Sequence, residues 1–496
     1  MLFLVAAVAL VPGIVKLLCY PANIGSDDAY IHLQIAHNFV NGLGWGINPH
    51  EPVNLSTSPA FTLLLAGIEA VVPHGTVVAA QLLSALAVVA GLVLIFQTVR
   101  AETGSAPAAL FAEVAAAFSV NLWRWNGSLM EASFAFAVVA LTLFLCRTDA
   151  PVELAHRVMT GLVLGLGVLL RPEFGIVVVL AVLVRCLRAE RGGRLGAVLA
   201  VTAGAASVVI PWCLFAAHYA GSVIPTTFAA KSTSGLQLVN RVILNQMAET
   251  WAESILFPTL LVALLLVLLR SKSTQRGLGV QGLKFVLPVG WVLGLVGFYY
   301  LKTPELQSPG RYVLPLLPAE VMVLALLWAG METRLASWKR PLTAIFLSMH
   351  AVFALAINFR FVTPVLRRFE GEYGDTMRAA AEELAARTEA NANRDVLVEE
   401  DIGVLGYSGR GRFEISDGGA LATPSLRGLS FPEQLSRVHP ALVVQSLASN
   451  PDGLAAEYPG LLTPVWKRRF RQHGVGGNTP YYYAIIFRPS QPAPAP

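Results

Sequence analysis

The stretch SDDAYIHLQIAHNF (Ser26–Phe39) places two adjacent carboxylates, Asp27 and Asp28, directly after the first apolar run of the chain. Such a pair reads in two ways. Ser26 can cap a helix whose acidic first turn holds both aspartates, with Ile31, Ile35 and Phe39 following on one face. A carboxylate at that position can also serve as a general base, because a helix start favours its ionised form. The readings are compatible, since the helix start would position the base. Two adjacent carboxylates can also hold a divalent cation, although nothing else in the sequence requires one. His32 and His37 are five apart, which does not place them on one helix face as the HExxH spacing does, so no zinc site is expected.

Further polar groups interrupt apolar surroundings at five other places. NLSTSP (54–59) brings Asn54 and Ser58, and WNGSLMEAS brings Glu131 to the start of an apolar run. LLRPEFG carries Arg171 and Glu173, YAGSVIPTTFAAKS carries Lys231, and QSPGRYVLPLLP carries Arg311 followed by Tyr312. Charges near membrane depth cost about 2.5–3.5 kcal/mol each on insertion scales, so they are candidates for function. Each has a second reading. Arg171 and Glu173 can pair with each other or cap a kink at Pro172, and Glu131 can bond the first turn of its own helix. Lys231 can snorkel, and Arg311 can be an interfacial anchor. Tyr30, His32, Trp45, Asn48 and Asn54 suit either a sugar pocket or the packing of a loop. Glu69, Glu113 and Glu320 also lie in apolar runs, without an evident role.

The elements that must position these groups are membrane helices. Of the 496 residues, 55% are hydrophobic and only 14% are charged, far below the roughly 25% of soluble chains, which makes the chain polytopic. The net charge of +5 comes from basic residues in short loops, the pattern of cytoplasmic loops, and no nucleic-acid partner is expected. The four cysteines show no CxxC spacing, so neither a thiolate metal site nor a disulfide is expected. Apolar runs lie near 1–19, 76–98, 105–122, 127–147, 156–170, 172–188, 195–218, 254–270, 284–300, 312–330 and 341–360. About eleven spans follow, and 58–72 is either a further span or a helix resting on the membrane. The first run has no basic flank and no cleavage signal, and is read as a retained span. The basic connections 185–194, 270–284 and 331–340 should be cytoplasmic, whereas 17–99 holds no Lys or Arg, as suits an exterior first loop. With that topology all six polar motifs fall on the outer face. Mixed charges collected at one interface suit a substrate whose polar head sits there and whose tail lies in lipid, namely a lipid-linked phosphate. Lys231 and Arg311 would hold the phosphate and a carboxylate would act as base.

From about residue 361 the composition turns charged, and RDVLVEEDIGVLGYSG, HPALVVQS and YYYAIIF read as strands. The expected domains are 1–361 in the membrane, with 20–60 as its first outer loop, 362–488 as an outer α/β domain, and 489–496 as a disordered tail. GVLGYSG lacks both the spacing and the lysine of a phosphate loop.

The ordered series DDAYIHLQIAHNFVNGLGWGINPHEPVNLSTSPAFTLLL, MEA, RPEFG, YAGSVIPTTFAAK and GRYVLPLLP resembles the GT-C superfamily of membrane glycosyltransferases. Within it, the series is most similar to the branch containing the mycobacterial terminal arabinofuranosyltransferase AftB. It departs from that pattern at Ala60-Phe61, at Thr226 and at ISDGG (415–419). The resemblance implies a mainly α, polytopic GT-C domain with a C-terminal soluble α/β domain on the extracytoplasmic face of a bacterial inner membrane. It implies an inverting transfer of arabinofuranose or a hexose from a polyprenyl-phosphate donor to a glycan, lipid or protein acceptor. Asp27 would be the base, and Asp28 would orient the acceptor or support that base; Lys231, Arg311 and Tyr312 would bind the donor phosphate. Tyr30, His32, Asn54, Ser58, Glu131, Arg171 and Glu173 would shape the site, and Asp27 with Asp28 would hold any metal. Two alternatives are a flippase for a lipid-linked sugar, which would carry broken helices and charges at mid-depth and on both sides, and an oligosaccharide ligase or polymerase using a lipid-pyrophosphate donor, which shares this topology.

Overall fold

The computed structural model describes residues 1–19, 24, 26–190, 193–231, 240–252, 278–303, 306, 308–330, 336–389, 393–471 and 481–490. Leucine, valine and alanine dominate long uninterrupted helices: α1 (Leu2–Cys19), α4 (Thr76–Thr103) and α10 (Arg194–Ala220) are three of six among the described residues that are long and apolar enough to cross a membrane. Shorter apolar helices are α3 (Pro59–Val71), α5 (Ala106–Ala117), α7 (Ala132–Leu145) and α8 (Leu154–Leu170). At 1.5 Å per residue they reach only ~18–26 Å, less than a hydrocarbon core of about 30 Å, so neighbouring helices must cover their ends. The chain is a multi-pass membrane protein. The expected span at 254–270 lies outside the described residues.

Close helix packing here depends on missing side chains. The GLVLG stretch of α8 presses on α10: a Cβ on Gly161 would lie 2.2 Å from the Val201 carbonyl oxygen, and one on Gly204 would lie 2.5 Å from that of Val158. Small residues at this spacing let two backbones touch where lipid supplies no hydrophobic drive. At the end of the bundle expected to face the cytoplasm, basic residues bind helix ends: Arg185 donates to the Pro151 carbonyl at 3.0 Å, Arg188 to that of Arg147 at 2.6 Å, and Lys284 pairs with Glu102 at 3.6 Å.

At the other end, α2 (Asp27–Val40) begins at Ser26, whose extended backbone makes it the N-cap although its side chain makes no capping bond. It lies on α3, tied by His37 to Glu69 at 2.6 Å and by His32 to Thr62 at 2.8 Å. Glu69 therefore acts as the partner of His37. A single helix of 46 residues, Thr343–Thr388, then leaves the bundle. Its length of about 69 Å is more than twice the hydrocarbon thickness, and it carries π-helical turns at Asn358–Val362 and Phe369–Gly374. The boundary expected at 361–362 falls inside this continuous helix.

Beyond it lies a five-stranded sheet of order β2-β1-β3-β5-β4. Its strands are β1 (Asp395–Glu399), β2 (Glu414–Asp417), β3 (Leu442–Ala448), β4 (Leu462–Arg471) and β5 (Tyr481–Pro489). β1 runs parallel to β2 and β3, and β5 runs antiparallel to β3 and β4. The fold is thus mainly helical with a small C-terminal α/β domain. Replacing Gly161 by leucine is expected to push α8 off α10 and to lower the yield of monodisperse protein in detergent. Gly196→Leu, which meets nothing within 4 Å, should leave the yield unchanged.

Candidate active site

Eight of the twelve residues singled out from the sequence line one cavity at the end of the bundle that carries the C-terminal domain: Asp28, His32, Ser58, Glu131, Arg171, Glu173, Arg311 and Tyr312. Its open space, mouth included, is about 930 Å³. They arrive from distant parts of the chain. α2 delivers Asp28 and His32, the Pro59 start of α3 delivers Ser58, and the start of α7 delivers Glu131. The Pro172 turn between α8 and α9 (Gly175–Arg188) delivers Arg171 and Glu173, and the Pro309–Val313 turn delivers Arg311 and Tyr312. Two of these deliveries use non-glycine residues at positive φ, Leu129 (54°) and Ser308 (63°). Such backbone costs about 1–3 kcal/mol and persists only where surroundings enforce it.

The two arginines differ in how fully they are engaged. Arg171 donates through Nε to Glu173 at 2.8 Å, through Nη1 to the Arg311 carbonyl at 3.0 Å and through Nη2 to the Tyr299 hydroxyl at 3.3 Å. Tyr299 in turn donates to Glu173. This closed set makes Arg171 a brace under the site, and its pairing with Glu173 holds alongside their place in the cavity wall. Arg311 pairs with Asp28 at 3.1 Å and donates to the Tyr312 hydroxyl at 2.9 Å; Glu131 stands 3.9 Å away. Arg311 Nε and Glu131 Oε2 make no hydrogen bond among the described residues, which leaves a cationic donor and an anionic acceptor for a bound molecule. Both guanidinium groups lie over the Tyr312 ring, at 4.8 and 4.9 Å. Glu131 is the N-cap of α7 but its side chain makes no capping bond, so it serves the cavity rather than its own helix.

Asp27 is placed elsewhere. Its carboxylate accepts from the backbone N–H of Gly403 at 2.7 Å and of Val404 at 2.8 Å, and from the Tyr373 hydroxyl at 3.3 Å; Tyr373 also donates to Asp401 at 2.7 Å. Asp27 thus anchors the C-terminal domain through the short helix Gly403–Gly409, and does not line the cavity. Only glycine fits at 403, since a Cβ there would lie 2.2 Å from the Asp27 carbonyl oxygen. The helix start was expected to keep Asp27 ionised. Burial and the Asp401 charge instead push its carboxyl well above the ordinary range, against the pull of the two N–H donors. The α2 dipole is outweighed by this partial burial and by the second acid beside it.

Tyr30 and Asn54 also leave the cavity wall for structural posts. Tyr30 contacts Glu370 at 3.4 Å and Arg378 at 3.5 Å on the long helix. Asn54 donates to the Ser222 and Val223 carbonyls at 3.2 and 3.1 Å. Asn48 pairs with Ile415 of β2 in both directions, each at 2.8 Å. The side chain of Lys231, which ends the short helix α11 (Thr226–Lys231), lies outside the described residues. The adjacent aspartates do not fit one shared divalent ion, because Asp27 spends both oxygens on backbone donors while Asp28 faces Arg311.

Sequence reasoning missed Tyr299, Thr227, Phe228 and Leu421, all of which line the cavity. Tyr299 had a signal, a buried hydroxyl at the outer end of an apolar run (GFYYLK). Leu421 had none.

Two solved structures share this architecture. ArnT from Cupriavidus metallidurans, determined bound to undecaprenyl phosphate, superposes with a TM-score of 0.62 over 98% of this chain and 97% of its own, at 16% identity. An Archaeoglobus fulgidus oligosaccharyltransferase tethered to an acceptor peptide with the NVT sequon superposes with a TM-score of 0.53 over 99% of this chain and 76% of its own, at 13% identity. Both are GT-C glycosyltransferases, and the chain has the GT-C fold. No protein-family model and no curated protein matches the sequence.

The Asp27 junction yields a pH dependence. Burial pushes Asp401 up to about 6. An acid raised on folding favours the folded state below its unfolded pKa, near 3.9, and withdraws that contribution as pH climbs through the folded value. Resistance of the domain junction to limited proteolysis should therefore fall between about pH 4 and 6. Asp401→Asn should flatten that profile, and an undiminished slope in the variant would exclude this acid as its source.

Proposed function

We propose that this chain is an inverting glycosyltransferase that moves a sugar from a polyprenyl-phosphate donor to a cell-envelope glycan, lipid or protein acceptor at the extracytoplasmic face of a bacterial inner membrane. The observation that carries the proposal is one cavity in which a carboxylate, Asp28, meets a partly engaged cation, Arg311, beside an apolar recess. That recess shares Thr57, Pro172 and Phe228 with the cavity and continues along Val168, Val209 and Trp212 between α8 and α10. Charge at one end and an apolar channel at the other match a phosphate head on an isoprenoid tail, and the undecaprenyl phosphate bound by ArnT belongs to that chemical class.

In the proposed step Arg311 binds the donor phosphate, with Lys231 as second cation and Tyr312 as a hydrogen-bond partner. In the ligand-free protein Asp28 is the counter-ion of Arg311; the phosphate takes over that role and releases Asp28. An acceptor hydroxyl attacks the anomeric carbon from the face opposite the phosphate. The new C–O bond forms as the old one breaks, the electron pair leaves with the phosphate, and Asp28 takes the hydroxyl proton. Arg311 then faces the charge that develops on the leaving group, which is where preorganised cations lower a barrier most. A single displacement inverts the anomeric configuration. Asp27, assigned the base by resemblance, becomes the residue that fixes α2 and so aims Asp28. The sugar is arabinofuranose or a hexose such as mannose.

Transfer from synthetic polyprenyl-phosphate sugars by protein in lipid nanodiscs tests this reading. Asp28→Asn should lower kcat roughly 10²–10⁴-fold, the usual worth of a general base, with donor KM unchanged or lower, since the phosphate no longer displaces a carboxylate from Arg311. Asp27→Asn should retain measurable turnover while the C-terminal domain becomes more sensitive to protease. Unchanged turnover in Asp28→Asn would remove it as the base.

A further inference from the structure

One wall of the cavity comes from the C-terminal domain. Leu421 lines it together with Thr227 and Phe228 of α11, and three features hold that leucine in place. The Thr226 hydroxyl donates to the Leu421 carbonyl at 2.7 Å, while the Thr226 N–H donates to the Asn54 carbonyl at 2.9 Å. One threonine therefore ties the first outer loop, α11 and the C-terminal domain together. Asp417, only 1% exposed, accepts from the backbone N–H groups of Gly419, Leu421 and Ala422 at 2.9, 2.7 and 2.7 Å. The residue before the leucine, Ala420, sits at a φ of 57°, a conformation an alanine keeps only where its surroundings enforce it. A buried aspartate spending its carboxylate on a turn, and a strained alanine inside that turn, are costs borne to present one side chain.

The position of Leu421 says what it meets. Asp28, Arg311 and Glu131 supply the charged part of the cavity, suited to hydroxyls and phosphate. Phe228, beside Leu421, belongs both to the cavity and to the apolar recess assigned to the lipid tail. The group between phosphate and acceptor in a polyprenyl-phosphate sugar is the glycosyl unit.

We propose that Leu421, presented by the Asp417 turn, is a specificity-determining residue that packs against the donor glycosyl unit and sets its permitted size. This rests on the transferase reading above. The wall is apolar, so it accepts the C–H face of an uncharged sugar and disfavours a charged substituent there. It is also a fixed volume. A pocket wall of this kind discriminates by roughly 10–200-fold per methylene, so truncating the leucine relaxes selection for the smaller ring.

The test uses the full chain in lipid nanodiscs with two donors, a polyprenyl-phosphate pentofuranose and a polyprenyl-phosphate hexose, and reads the ratio of their kcat/KM values. The ratio is internal to each variant and does not depend on how much of the sample is folded. Leu421→Ala should shift the ratio toward the hexose by about tenfold or more. Asp417→Asn, which loosens the turn, should shift it the same way by less. Leu461→Ala, at an exposed position of the same domain, should leave it unchanged. Transfer that proceeds with the same ratio in Leu421→Ala and in the unaltered protein overturns this inference and leaves the transferase reading standing. Absence of transfer by the unaltered protein from either donor overturns both.

Discussion

A charge withdrawn from water beside a bilayer must find partners, and the end of this protein that carries the C-terminal domain is organised by that demand. Breaking a buried ion pair by removing one member costs about 3–5 kcal/mol, because the other is left uncompensated. The two arginines of the site meet the demand in opposite ways. Arg171 is enclosed by Glu173, Tyr299 and a backbone carbonyl, and it holds together the turns that also carry Arg311. Arg311 has Asp28 as counter-ion and keeps one donor unbonded among the described residues. A closed set of partners makes a brace, and an open set makes a binding group. The division of labour within the cavity follows from that contrast.

The C-terminal domain is part of the same construction. Asp27 grips Gly403 and Val404, Asn48 pairs with Ile415, and Thr226 holds Leu421. Each tie joins an element bordering the cavity to the C-terminal domain, and the long helix Thr343–Thr388 joins them through the backbone. The adjacent aspartates of α2 therefore divide between two tasks, one turned to the domain junction and one to the cavity. Neighbouring residues at a helix start point about 100° apart around the axis, so a DD pair can serve two surfaces at once.

Much of this was legible in the sequence because membranes make charge conspicuous. Glu131, Arg171, Glu173 and Arg311 stood out against leucine and valine, and the positive-inside bias placed them on one side; the cavity gathers all four. Strands β1, β3 and β5 were visible as β-branched and aromatic runs. β2, only four residues long, and β4, with its polar, exposed pattern, were not. The division between Asp27 and Asp28 was hidden because both share one local pattern, and only a contact 376 residues away along the chain separates them. The posts taken by Tyr30 and Asn54, and the place of Leu421, depend likewise on tertiary contacts that no local spacing encodes.

In the proposed complex a polyprenyl phosphate occupies this cavity, head at Arg311 and tail between α8 and α10. An experimental structure of the full chain in a lipid nanodisc with polyprenyl phosphate added tests it most directly. The phosphate should lie within hydrogen-bonding distance of the Arg311 guanidinium, with Asp28 released from its ion pair and the first isoprenoid units against Phe228 and Trp212. Phosphate density away from Arg311, or a tail leaving the bundle by another face, would contradict it.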